Sequence, residues 1–543
     1  MRGLLFVGGL FVLVTAVGCP RSEAVKASYR PQVAPDASDR FFAGEIRHLS
    51  LSLKPKDVEK INRENRPWVS CTLTEMDANG AKLGVYKDVT IKLKGAAGSF
   101  QRFGDKPALT VRMNKNVPGQ AFHELTKFHL NNSVQDETYL HEQVCSELFN
   151  AAGVPATRVT HVRVTLNNRD AGLYVLKEGF DKRFLARHFK HPEGNLYDGG
   201  FCTDIDTDLE KDTGNGPDDY SDLVALREAC RLEDEAARFK KLEELVDIDA
   251  VLTFTAMELM TCHWDGYVRN RNNYRLYFEP VTHKAYFFPH GMDQMFGDPG
   301  FSIIDPPEAM VTRAVMENPE WRAAYQKKAN ALLPLFSPPD KLLARIDALA
   351  AKLKPTLVKM DENLANAHAE RVAQLKELVK ARAASLEEQK TFPAPHPSEF
   401  DENGTLHLAD WHPASEVDDA VLEQNELPDG KPVLKIACGP SERCIASWRK
   451  TVLLPRGKYK FVASAQAKEI KPFEQDEKGV GAGVRISGTN RENKLSGTSD
   501  WTELAFEFAI EEESGSVELV AELRAFTGEV LFDADSLRIV RVE

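Results

Sequence analysis

The sequence predicts an α+β domain in two lobes followed by an all-β sandwich, and three observations predict it. Residues 41–178 run in short alternating stretches with turn residues between them and a single helix-periodic stretch. Residues 307–391 repeat apolar side chains at three- and four-residue spacing, with charges on the other face. Past TFPAPHPSE, short alternating runs from about 401 to the end mark a second, β-only unit. The 543 residues allow roughly three domains of about 150 each. A hydrophobic content of 42% is enough for packed cores. With 69 basic against 82 acidic residues, the net charge of −13 argues against general nucleic-acid binding.

Taken in order, residues 1–19 (MRGLLFVGGLFVLVTAVGC) read as an export signal whose apolar run is short for a spanning helix. Ala16-Val17-Gly18-Cys19 resembles a bacterial lipobox, with Ala in the usual Leu position. The resemblance implies acylation at Cys19 and a lipid-anchored protein of the cell envelope, the anchor being its only membrane contact. Residues 20–40 are polar with Pro, Ser and Ala, and read as a tether. Of the other seven cysteines, Cys438 and Cys444 flank a tight turn and are the expected disulfide pair.

In the first lobe (41–178), WVSCTLTEM and VYKDVTIKLKG read as a hairpin about Asn79-Gly80. KPALTVRM and LTKFHLN are further strands. TYLHEQVCSELFNAAG is a helix stopped by Gly153, and RVTHVRVTLNNRDAGLYVLKE is a hairpin about Asn167-Asn168. The second lobe (179–391) opens with the helical DKRFLARHF and a polar loop over 190–235. In that loop Asp204, Asp206 and Asp208 alternate as in a Ca²⁺ loop, but Leu209 and Asn215 replace the required Gly and Glu, so a solvated loop is expected. DIDAVLTFTAMELMTCHWD is a buried helix delivering Asp265, and three helical stretches complete the lobe before a linker at 392–400.

The chemistry concentrates between His263 and Gly297. Asp265 is followed five residues later by Asn270, then by a hairpin (NYRLYFEP, HKAYFFP) and Asp293. Phosphoryl transfer needs one carboxylate to orient the attacking hydroxyl and further oxygen ligands for Mg²⁺. Asp265, Asn270 and Asp293 are such a set, in the order catalytic Asp, metal Asn, metal Asp. Asp265-Gly266-Tyr267, Asn270, Asn272, Asn273, Pro289, Asp293 and Phe296-Gly297 closely resemble the signature of the spore coat protein H (CotH) kinases.

That resemblance implies an atypical, two-lobed protein-kinase-like fold over 41–391, with ATP and Mg²⁺ as cofactors and Ser or Thr of a secreted or surface protein as acceptor. Asp265 would be catalytic, and Asn270 and Asp293 would hold the metal. Lys92, Lys94 and Gly95 stand in for the family's basic-Gly motif, with Ala96 in place of its Asn. Lys106, held by Glu142 or Glu147, is the expected phosphate contact, and Lys127 is the next candidate. Glu178 sits where the hinge would meet adenine. The unit over 401–543 resembles jelly-roll carbohydrate-binding modules, which implies a polysaccharide partner. Trp411, Trp448 and Phe526 are its candidate sugar-stacking rings, and Asp533 and Asp535 a candidate structural Ca²⁺ pair. The alternative is a non-catalytic surface adhesin or scaffold with a kinase-like fold.

Overall fold

The structure, a computed structural model, describes residues 37–542 except 97, 392–396, 418, 441 and 442. The export signal with Cys19, most of the tether and half of the linker lie outside the described residues. Residues 37–40, read as tether, instead begin a helix, Ala37–Ala43. Its Phe41 and Phe42 are buried in the first lobe's core, and Arg158 pairs with Asp39 at 2.6 Å. A two-phenylalanine anchor explains why this stretch folds back onto the lobe.

Seven strands form the first lobe: β1 (Arg47–Ser52), β2 (Val69–Met76), β3 (Lys82–Lys94), β4 (Ala108–Arg112), β5 (Lys127–Asn131), β6 (Val159–Leu166) and β7 (Arg169–Glu178). They close into a barrel in the order β1-β2-β3-β4-β5-β7-β6, with β6 pairing in parallel to β1. The alternating pattern announces the strands but not this closure, which joins strands at opposite ends of the lobe. Closure removes the free edges that an open sheet would expose. Both hairpins form where expected. Gly80 takes φ 87°, while Asn167 and Asn168 take 46° and 66°, the left-handed pair that a tight two-residue hairpin requires.

Period-two alternation then gives the barrel two surfaces. Ile91, Leu93, Leu109, Val111, Phe128 and Leu130 fill its interior. Their neighbours Lys92, Lys94, Thr110, Arg112, His129 and Asn131 face outward into a cleft. The helix His141–Ala151, ended by Gly153 at φ 87°, packs on the same side.

The second lobe has a sheet in the order β11-β10-β8-β9, from β8 (Leu196–Asp198), β9 (Glu210–Thr213), β10 (Tyr274–Phe278) and β11 (Ala285–Pro289). Beside it runs the helix Ile248–Met260, N-capped by Asp247, whose side chain accepts from the Ala250 amide. From Val251 to Met260 every residue of this helix is buried. The helices Met310–Glu317, Pro319–Leu332, Asp340–Met360 and Glu362–Gln389 follow. Arg382, fully buried on the last of them, donates to the carbonyls of Leu259, Met260, Pro299 and Phe301. A guanidinium at the carboxyl end of a helix satisfies otherwise orphaned carbonyls and meets the negative end of the dipole. It thereby fixes where Ile248–Met260 stops and Asp265 begins.

Beyond 401 the described elements are strands apart from the short 3-10 turn Ala534–Ser536, dominated by Cys444–Pro472 and Gly497–Asp533, with their own apolar core. Trp411 and Trp448 belong to that core, at 4% and 2% exposure, so neither is free to stack on a sugar. Phe526 is exposed beside Phe473. Asp533 pairs with Lys431 at 2.9 Å and caps a short turn by accepting from the Asp535 amide. Cys438 and Cys444 do not form the expected disulfide: both are free thiols, hydrogen-bonded side chain to side chain.

Candidate active site

A cleft of about 870 Å³ lies between the barrel wall (β3, β4, β5) and the second lobe, and Asp265, Asn270 and Asp293 all line it. Asp265 follows the carboxyl end of Ile248–Met260 after a left-handed Cys262 (φ 58°). Its carboxylate is held by three amides. Asn270 and Asn272 donate Nδ2 to Oδ1 at 2.6 and 3.0 Å, and Asn273 donates to Oδ2 at 2.8 Å. A carboxylate offers about four lone-pair directions, so one on Oδ2 is left facing the cleft. The spacing 270, 272, 273 arises because one helical turn (Tyr267–Asn270) is broken by left-handed Arg271 and Asn273 (φ 51° and 49°).

The turn is seated on Glu258, which is buried and accepts from the amides of Tyr267 (3.2 Å) and Val268 (2.8 Å). Burial pushes the Glu258 carboxyl up from 4.5 to about 8, against the pull of those amides. The folded protein therefore keeps a proton that the unfolded chain has lost. Stability from this group is present below about pH 5 and declines as the pH rises to about 8. We expect the melting temperature to fall across that range, and Glu258→Gln, which cannot titrate, to flatten the slope. An unchanged slope in that variant would assign the dependence to another group.

Asp293 is aimed by a second set of contacts. The His290 amide donates to the Asn273 carbonyl at 2.8 Å, and His263 Nε2 meets the His290 carbonyl at 2.9 Å. The two motif halves are thus tied together. Gly291, at φ 56°, has no room for a side chain, since a Cβ there would lie 2.2 Å from Asn273 Oδ1. Gly291→Ala should displace Asn273 and with it one of the three amides on Asp265. Burial, with Glu142 next, raises the Asp293 carboxyl above its ordinary range, while Lys177 opposes the shift.

The lysine beside this carboxylate is not the one expected from the sequence. Glu142 pairs with Lys177 at 2.6 Å, and both side chains are almost fully buried. Glu142 also accepts from Asn131 Nδ2, whose Oδ1 accepts from Lys94 Nζ at 2.7 Å. Burial, and then Lys177, lowers Lys94 to about 8. Lys106 instead donates to Tyr139 Oη at 3.1 Å and lies over the Tyr139 and Tyr174 rings, outside the cleft lining. Glu147 pairs with Arg345. Lys127 does reach the cleft, paired with Asp212 at 2.9 Å. The Glu178 side chain points away from the cleft, into Arg158 and Arg187 at 2.7 and 2.5 Å, which leaves the hinge contact expected there to its backbone. Asp204 is a structural acceptor, taking the amides of Ile205 and Met310 and the Tyr267 hydroxyl.

Lys177 was legible in principle. Leu173 and Val175 face the second lobe's core while Tyr174 and Leu176 face the barrel, so period two puts Lys177 on the outer face. Among the described residues no three His, Cys, Asp or Glu side chains converge as a metal cluster.

Residues 91–386 match the family model described as CotH kinase protein. "Invasin CotH3" of Rhizopus delemar is 25% identical over 268 residues, covering 42% of this chain and 44% of that protein. "Inner spore coat protein H" of Bacillus subtilis is 22% identical over 274 residues, covering 45% and 71%. The chain thus spans less than half the length of the fungal relative. Among solved structures, TmCBM61 in complex with beta-1,4-galactotriose aligns with a TM-score of 0.20 and 13% identity, over 27% of this chain and 99% of that one. The matched segment exceeds half of the sequence and contains the triple-amide Asp265, Asp293 and the Lys177–Glu142 pair, so the chain belongs to the CotH kinase family.

Proposed function

We propose that the protein transfers the γ-phosphate of ATP to Ser or Thr hydroxyls of secreted or surface proteins. The observation that carries this reading is Asp265, locked by three amides with one acceptor direction open, in the same cleft as Asp293, with the buried Lys177–Glu142 pair behind the cleft wall and tied to it through Asn131 and Lys94. Such a carboxylate orients a hydroxyl and takes its proton as the O–P bond forms. Holding it rigid lowers the entropic cost of reaching the reactive geometry.

The residues also fit Mg²⁺. Asn270 has used its amide nitrogen on Asp265, which leaves its oxygen as a ligand, and Asp293 is a buried carboxylate beside a second one. Two protein oxygens are the number Mg²⁺ ordinarily takes from protein when phosphate is also bound. When bound, the ion would supply charge neutralisation to the phosphates. Lys177, Lys94, Lys92 and Arg112 supply positive charge on the barrel side.

Among the described residues no helix is long and apolar enough to cross a membrane. The proposed location is the cell envelope, with Cys19 as anchor. Incubation with Mg²⁺ and γ-labelled ATP should label the protein or a Ser/Thr-rich acceptor, and Mg-ATP should raise the melting temperature. Neither label nor shift would favour the non-catalytic adhesin.

A further inference from the structure

Glu233 stands between the helices Ser221–Arg231 and Glu235–Leu245 of the second lobe, yet its carboxylate is buried among side chains of the carboxy-terminal unit. Arg524 Nη1 donates to both oxygens, at 2.8 and 2.9 Å. Arg485 Nη2 and Lys478 Nζ donate to Oε2 at 3.0 and 3.1 Å, and Arg449 Nη2 lies 3.8 Å from Oε1. Ser487 Oγ donates to the Glu233 carbonyl at 2.9 Å.

Strand register builds this receptor. Along Gly497–Asp533, Leu519, Ala521 and Leu523 enter the unit's core, so Glu518, Glu522 and Arg524 face the other way. Arg485 on the neighbouring strand pairs opposite Val520. Glu522 accepts from Arg485 (3.0 Å) and Arg491 (2.7 Å), Glu518 from Arg449 (2.7 Å), and Asp476 from Arg524 (2.9 Å).

Within the unit, five cations (Arg449, Lys478, Arg485, Arg491, Arg524) thus meet three carboxylates (Asp476, Glu518, Glu522). Even with Glu416, the next carboxylate of the unit facing Arg524 and Lys478, counted against them, a positive charge is left over, in side chains that are mostly buried. Guanidinium charges removed from water without a partner are costly, and a fork of N–H donors matches a planar, two-oxygen anion. Arg524 Nε, also buried, has no acceptor among the described residues. Beside the site an interdomain cleft of about 760 Å³ is lined by Arg449 and Glu518 on one side and Arg238, Arg313 and Glu317 on the other. A small anion therefore has a route to Arg449, which of the guanidiniums that approach Glu233 holds it least closely.

We propose that this face of the carboxy-terminal unit is a carboxylate-binding site and that Glu233 is its resident ligand, latching the unit onto the second lobe. The site takes carboxylates as a class, and a free one competes for it only when Glu233 is absent. The inference stands apart from the phosphotransfer reading and is tested without it.

The test uses the full chain, with acetate as probe and chloride at matched ionic strength as control. Glu233→Ala should lower the melting temperature and speed amide hydrogen exchange in 481–487 by roughly tenfold or more. Acetate should restore both, and chloride should not. Glu233→Asp, which keeps the carboxylate one methylene short, should show a smaller defect and a smaller acetate response, and it serves if the alanine variant fails to fold. Glu233→Gln should be defective and unrescued, since its amide occupies the site without charge. Wild-type behaviour of the alanine and glutamine variants, or rescue by chloride as good as by acetate, would overturn the proposal.

Discussion

Asp265→Asn is expected to lower phosphotransfer by roughly 10²–10⁴-fold, the range for loss of a positioned proton acceptor, with the fold retained. The substitution keeps volume and planarity but puts an NH₂ where an oxygen accepts from an asparagine amide. One of the three asparagines must then turn or lose its bond, at a cost of about 1 kcal/mol. Asp265→Ala should be less stable than Asp265→Asn, because it leaves all three amides without their acceptor. Asp293→Asn should also abolish transfer, but with the opposite effect on stability. Its carboxyl is held above its usual range by burial and by Glu142, so removing the charge relieves the unliganded fold. We expect its melting temperature to equal or exceed wild type without nucleotide, and the rise induced by Mg-ATP to vanish. Labelled transfer and thermal melts of the three variants decide this. More than a tenth of wild-type transfer in Asp265→Asn would sink the assigned role.

The motif that names the chemistry lies within one stretch of the sequence. Asp265, its asparagines, the hairpin and Asp293 are close along the chain, and their geometry depends mainly on local turns. The same holds for the hairpin at Asn167-Asn168 and the helix Ile248–Met260, whose elements follow from turn chemistry and apolar spacing. What was misread depends on contacts distant in sequence. The partner of Glu142 follows from the pairing of β7 with β5, which sets Lys177 opposite His129 on the cleft side of the barrel. Lys106 looked like a strand-leading phosphate lysine, but Tyr139 and Tyr174 lie beneath it. At the expected hinge position, the sequence does not show that Arg158 and Arg187 claim the Glu178 side chain. Glu233 lies in a charged stretch that reads as solvated, and only the packing of the carboxy-terminal unit makes it a buried ligand.

Lys177→Met should destabilise the protein by about 3–5 kcal/mol, as breaking a buried ion pair does, and should remove Mg-ATP binding with it. The pair is at 2.6 Å, and its members are 1% and 2% exposed. Without the ammonium, Glu142 and Asp293 face each other with Lys94 and His141 nearby; Lys94 reaches Glu142 through Asn131 rather than directly, and His141 is already paired with Asp136. Pairing Lys177→Met with Glu142→Gln removes both charges, and it should recover much of the stability while leaving activity lost. That non-additivity, read from urea denaturation of the single and double variants, is the signature of a direct couple. Lys106→Ala is the discriminating control. It gives up a hydroxyl bond and contacts over two rings, worth about 1–2 kcal/mol together, and should keep transfer within about twofold. The reverse result, with Lys106→Ala dead and Lys177→Met active, would return the phosphate contact to Lys106. It would make the buried Lys177–Glu142 pair a strut of the barrel alone.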